Sequence, residues 1–157
     1  MGILLTLAVV NLNATQVNAR DAERKGDIEA IQLNLEDFYK TDSDRGAYLG
    51  AYPNTQFNNS ISSIKQSLRD INTENLTAPG STDPMATFID ATNNIQTAAG
   101  VLPQPTIAQY VYQPIDIDGT TLCTSTNTCR KYNLYYRLES DNAVYMVTSK
   151  HQWEQQR

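Results

Sequence analysis

The first forty residues constrain this chain most, because they read as one long helix whose two halves suit different surroundings. From Gly2 to Val10 the sequence is Gly-Ile-Leu-Leu-Thr-Leu-Ala-Val-Val, apolar nearly all the way round, as befits a membrane, a signal segment or a buried helical core. The second half carries Arg20, Asp21, Glu23, Arg24, Lys25, Asp27 and Glu29, while Ile28, Ile31, Leu35 and Phe38 recur at helical spacing, so this half is amphipathic. No proline interrupts residues 1–39, and Gly26 costs only about 1 kcal/mol against Ala. Asp21 with Arg24 or Lys25, and Arg20 with Glu23, sit three or four apart, worth about 0.2–0.5 kcal/mol a pair, with Arg20 and Arg24 in slight opposition. Taken locally, the charge run reads as a solvated helix face.

The apolar run is too short for a bilayer, which needs about 20 residues. It lacks the positive flank and compact cleavage site of a secretory signal, and so reads as the tail of a longer hydrophobic helix that begins before Met1. Beyond it, residues 41–157 suffice for one packed head without help from disulfides. The formal net charge of -5 argues against a general nucleic-acid surface.

Turn formers at residues 40–46 close the helix, with Gly46 suited to a left-handed exit, and Tyr48, Tyr52 and Pro53 read as an exit loop packed back on it. Ile61, Ile64, Leu68 and Ile71 form one stripe of a short second helix over residues 60–71. Residues 72–84 are a connector, with Asp83 as N-cap and Pro84 as the first residue of a third helix; Met85, Phe88, Ile89 and Ile95 extend that helix to just before Gly100. Residues 107–115, 132–139 and 143–149 read as three antiparallel strands, the last two a hairpin turning at Ser140-Asp141-Asn142, with Leu134, Tyr136 and Leu138 on one face. The class is therefore α+β.

Cys123 and Cys129 enclose five residues, and the chain's single histidine, His151, leaves too few ligands for a zinc site. The pair reads as a disulfide worth about 3 kcal/mol or less for so small a ring, with free thiols or a redox site as alternatives. Asp116 and Asp118 before Gly119 offer oxygens to calcium, but an Asp-Gly turn explains them more simply, and Asp42 and Asp44 are similar. Tyr110, Tyr112, Tyr132, Tyr135, Tyr136 and Tyr145 read as cross-strand packing in preference to a sugar-stacking surface. His151 sits in a polar tail expected to fray, a poor place for a catalytic base, and no glycine-rich phosphate loop appears.

The apolar run from Gly2 to Val10, the stretch Ala-Arg-Asp-Ala-Glu-Arg-Lys-Gly-Asp-Ile at 19–28, residues 35–39 and residues 46–53 together resemble the type IV pilins of bacteria and the pseudopilins of type II secretion. The resemblance implies a long amino-terminal helix, residues 1–40 and truncated at its start, packed on a small antiparallel sheet in a head of residues 41–157. It further implies a structural subunit with no enzymatic role, catalytic residue, cofactor or metal, methylated at its mature amino terminus. Such a subunit is anchored in the inner membrane, handled by the pilus or secretion machinery, and self-assembled into a homopolymeric filament at the bacterial surface, for adhesion, motility or secretion. Ile3, Leu4, Leu5, Leu7, Val9 and Val10 are the filament-packing residues this implies. The family's peptidase site and its following acidic residue would lie before Met1. The alternative is a minor tip subunit or anchored module that binds a surface ligand, glycan or DNA through residues 116–130.

Overall fold

The computed structural model describes residues 2–40, 50–124 and 128–151, with side chains from residue 12 onward. Gly46, Tyr48, Asp42 and Asp44 lie outside the described residues. Helix α1, Gly2–Lys40, is followed by α2, Ile61–Ser67, a 3-10 turn, Thr73–Leu76, and α3, Pro84–Thr87. The strands are β1, Phe88–Asp90, β2, Tyr110–Asp116, β3, Cys129–Arg137, and β4, Val144–Thr148, in spatial order β1-β2-β3-β4.

The periodicities decide most of this. Ile28, Ile31, Leu35 and Phe38 are all buried, as their spacing predicts, and the first three join Tyr52, Ile64, Leu68, Phe88, Tyr110, Tyr112, Tyr132, Leu134 and Tyr136 in one core between α1 and the sheet. Leu134, Tyr136 and Leu138 share the helix-facing side, as expected. Tyr135 points to the opposite face, where Ala91, Val101 and Val111 form a smaller cluster. Helix α2 begins with Ser60 accepting from the Ser63 amide, and α3 with Asp83 accepting from Met85 and Pro84 in its first turn, both conventional caps.

Two expectations are corrected. The sheet is mixed and four-stranded: β1 pairs parallel to β2, Phe88 opposite Tyr110 and Asp90 opposite Tyr112, while β2, β3 and β4 are antiparallel. The third helix stops at Thr87, because Phe88 and Ile89 leave it as a three-residue edge strand. From Ala91 the chain crosses the far face without regular structure, held by the Asn93 side chain, which donates to the Gly100 carbonyl and accepts from the Leu102 amide. Pro114 is tolerated inside β2 because its nitrogen points toward β1, which has already ended opposite Tyr112.

The disulfide joins Cys123 and Cys129, with a Cα separation of 5.5 Å. It closes a loop onto the end of β2, where the Cys123 amide donates to the Pro114 carbonyl, so β3 starts at Cys129, earlier than read from the sequence. The Cys129 and Cys123 carbonyls then accept the amides of Tyr52 and Thr55 at 2.8 and 3.3 Å, tying down the chain after α1. The double substitution C123S/C129S is expected to lower stability by about 2–3 kcal/mol and to raise hydrogen exchange at the Tyr52 and Thr55 amides. Urea unfolding with exchange NMR checks this, and an unchanged midpoint contradicts it.

Candidate functional site

At 1.5 Å per residue a helix of 39 residues is about 58 Å long, and its two halves are used differently. Residues 12–16, 18 and 19 are exposed, whereas from residue 21 on α1 lies along the head with one face buried. No helix among the described residues is long and apolar enough to cross a membrane. Ile3, Leu4, Leu5, Leu7, Val9 and Val10 fall on the first turns of α1, and their side chains lie outside those described. The candidate site is thus this amino-terminal half together with the anchor that holds the rest of the helix to the sheet.

The anchor is largely polar, which corrects the reading of the charge run as a solvated face. Arg24 is 1% exposed, Asp21 5%, Asp27 7% and Glu36 5%; Ala22, Glu23, Lys25, Gly26 and Glu29 are what face outward. Asp21 accepts from Arg24 at 2.9 Å, the predicted i,i+3 pair, and from the backbone amides of Glu139 and Ser140 at 2.8 and 2.9 Å. Burial pushes the Asp21 carboxyl up, but these amides and Arg24 overcome it and leave it below its ordinary value. Arg24 also donates to the Ile107 carbonyl at 2.8 Å. Arg20 reaches Glu139 across the interface with two bonds, 2.8 and 2.6 Å, instead of pairing with Glu23. That contact lowers the Glu139 carboxyl, first through the Arg20 bond.

Further along, Asp27 accepts from the Tyr110 hydroxyl at 2.6 Å, and Gln32 donates to the Thr148 carbonyl at 3.1 Å. Glu36 is the hub. It accepts from the Tyr52 hydroxyl at 3.0 Å, the Tyr132 hydroxyl at 2.8 Å and the Lys150 amide at 2.9 Å, drawing together the segment after α1, β3 and the end of β4. Burial, reinforced by Glu36, raises both phenols far above the usual range, so they remain donors.

His151, expected in a fraying tail, is held here: its ring stacks on Tyr39 at 4.8 Å, and its Nε2 lies 3.7 Å from Glu36. Residues 152–157 lie outside the described residues. The tyrosines are packing groups: Tyr110, Tyr112 and Tyr132 are buried against α1, and Tyr145 stacks on its cross-strand partner Tyr136 at 5.7 Å. Asp116 and Asp118 form the Asp-Gly turn, Gly119 taking φ +73° while Asp118 accepts from the Thr120 and Thr121 amides at 2.8 Å and from the Thr121 hydroxyl. Those bonds, the Thr121 hydroxyl first, lower the Asp118 carboxyl to about 2.

Sequence reasoning missed the long-range partners of Asp21, Asp27 and Glu36, which lie 83 to 119 residues away for Tyr110, Tyr132, Lys150, Glu139 and Ser140. The only available signal was carboxylates on the same helix face as the apolar stripe, at positions where solvated residues are not expected. Glu36→Ala, which strands two buried phenols and the part-buried Lys150 amide, is expected to cost about 2–4 kcal/mol in urea unfolding, and Arg20→Ala at the half-exposed rim far less. Equal losses would contradict the hub assignment. Compared with known proteins, the chain matches no family profile, no curated protein and no solved structure.

Proposed function

We propose that this chain is a structural subunit of an extracellular filament of the type IV pilus or type II secretion pseudopilus kind. Its amino-terminal helix rests in the inner membrane before assembly and packs against copies of itself afterwards. The observation that carries the reading is the division of α1: a polar anchor grips it from residue 20 onward, while residues 12–16, 18 and 19 are exposed to solvent and follow an apolar run. A head that needed α1 only for its own core would have no use for that extension. Burial of Ile3, Leu4, Leu5, Leu7, Val9 and Val10 between subunits contributes about 1.5–3 kcal/mol per large side chain, repeated along a fibre. The disulfide loop, which the tip-subunit alternative requires as a binding face, spends the Cys123 and Cys129 carbonyls on holding the segment after α1.

The test is assembly in detergent-free buffer. The chain is expected to sediment as large species and to form fibres visible by electron microscopy. Leu7→Glu with Val10→Glu is expected to abolish both without moving the unfolding midpoint of the head. A wild-type chain that stays monomeric at about 100 µM, well above the micromolar range of ordinary specific association, overturns the proposal.

A further inference from the structure

The corner of the sheet at β1 and β2 carries two carboxyl groups that the anchor does not neutralise: Asp27, buried and reaching it from α1 through Tyr110, and Asp90 of β1, half-buried with one oxygen sealed from solvent. Asp27, on α1, is met by Tyr110 of β2, and Asp90, on β1, lies opposite Tyr112, the next residue of β2 on the same face. Neither makes an ion pair among the described residues. Asp27 has one bond, from the Tyr110 hydroxyl. The Oδ1 of Asp90 is buried with no hydrogen-bond partner, and the Tyr112 hydroxyl is already given to the Pro53 carbonyl at 2.7 Å. Buried polar groups left in this condition are uncommon.

We propose that this corner is a proton-operated latch, closed while Asp27 and Asp90 are protonated and loosened when they ionise. The surroundings offer little to a negative charge. Around Asp27 stand Glu23, which repels it, Arg24, which attracts it but gives its hydrogen bonds to Asp21 and the Ile107 carbonyl, and Tyr110. Glu74 of the 3-10 turn lines the same groove as Glu23. Around Asp90 stand Tyr112 and, behind it, Tyr52 and Tyr132, all neutral phenols. Burial raises Asp90 to about 7; it also raises Asp27 to about 6, opposed by the Tyr110 bond and by Arg24 and helped by Glu23.

The sign follows. A carboxyl raised on folding contributes stability that is fully present below its unfolded value, near 4, and is lost as pH rises through the folded values near 6 and 7. Asp21, Glu139, Asp118 and Asp141, all lowered on folding, work in the opposite sense and act only as pH falls below the ordinary carboxylate range. The interval between is governed by the corner. The reporter is the Ala91 amide, which donates to the Tyr112 carbonyl at 2.8 Å and closes the β1 end of the sheet.

Hydrogen exchange at Ala91, corrected for intrinsic rates, is expected to show an opening constant at least about tenfold larger near pH 8 than near pH 5. D27N/D90N is expected to flatten that dependence. As a control on the chain's single histidine, each comparison is repeated with His151→Gln. Should the double variant fail to fold, the wild-type aspartate carboxyl carbons serve instead, two of them expected to titrate above about pH 5. A flat wild-type profile, a dependence that survives D27N/D90N, or carboxyl carbons that all titrate below that range overturns the latch. The readout is local to one subunit, so its failure is distinguishable from a failure to assemble.

Discussion

The structure depends on buried carboxylates of one helix finding donors from distant parts of the chain. Apolar packing of Ile28, Ile31 and Leu35 holds α1 against the sheet, but burial of that kind is non-directional and tolerates sliding. Glu36 does not tolerate it. A desolvated carboxylate costs several kcal/mol unless its oxygens are bonded, so Tyr52, Tyr132 and the Lys150 amide all have to arrive together. Asp21 imposes the same condition some 22 Å up the axis, at 1.5 Å per residue, with the Glu139 and Ser140 amides. Helix and head therefore have one relative register, fixed at two separated points.

That fixation bears on the amino-terminal half. A helix of some 18 residues alone in water is marginal, because its first turn must be nucleated at a loss. Here the anchored half is the nucleus, and residues 2–19 need only propagate from it. The anchor accordingly does more than hold the head together: it supplies the helical continuity that the proposed assembly handle requires.

What was legible in the sequence follows from the range of each signal. The 3.6-residue recurrence of Ile28, Ile31, Leu35 and Phe38 and the runs around Tyr112, Leu134 and Val147 are local patterns, and they located α1 and the three antiparallel strands. β1 is only three residues long, and its Phe88 and Ile89 are spaced from Met85 as in a helix, so the pattern pointed the wrong way; only pairing with Tyr110 and Val111 makes it a strand. The charge run failed for a similar reason. Spacing predicted the Asp21–Arg24 pair, but not that Ile107 and Glu139 would cover it. The proposed handle was visible as composition and resemblance alone, whereas the anchor that makes sense of it is made of contacts separated by about a hundred residues.

The two ends of the anchored half also differ in kind. At its carboxy end the Tyr39 carbonyl receives the Gly50 amide at 3.0 Å, Arg130 donates to the Gly50 carbonyl, and the rings of Tyr39, Tyr52 and Tyr132 pack in succession at 4.7 Å between neighbours. This end is wide, aromatic and tied to the disulfide through Tyr52 and Cys129. Its amino end is narrow, a bidentate Arg20–Glu139 contact beside Asp21. A force on the projecting half tends to peel the narrow end first, and there it meets directional bonds to the hairpin turn between β3 and β4. The load passes through those bonds into the sheet, whose strands resist it by their ladders, before it reaches the aromatic end.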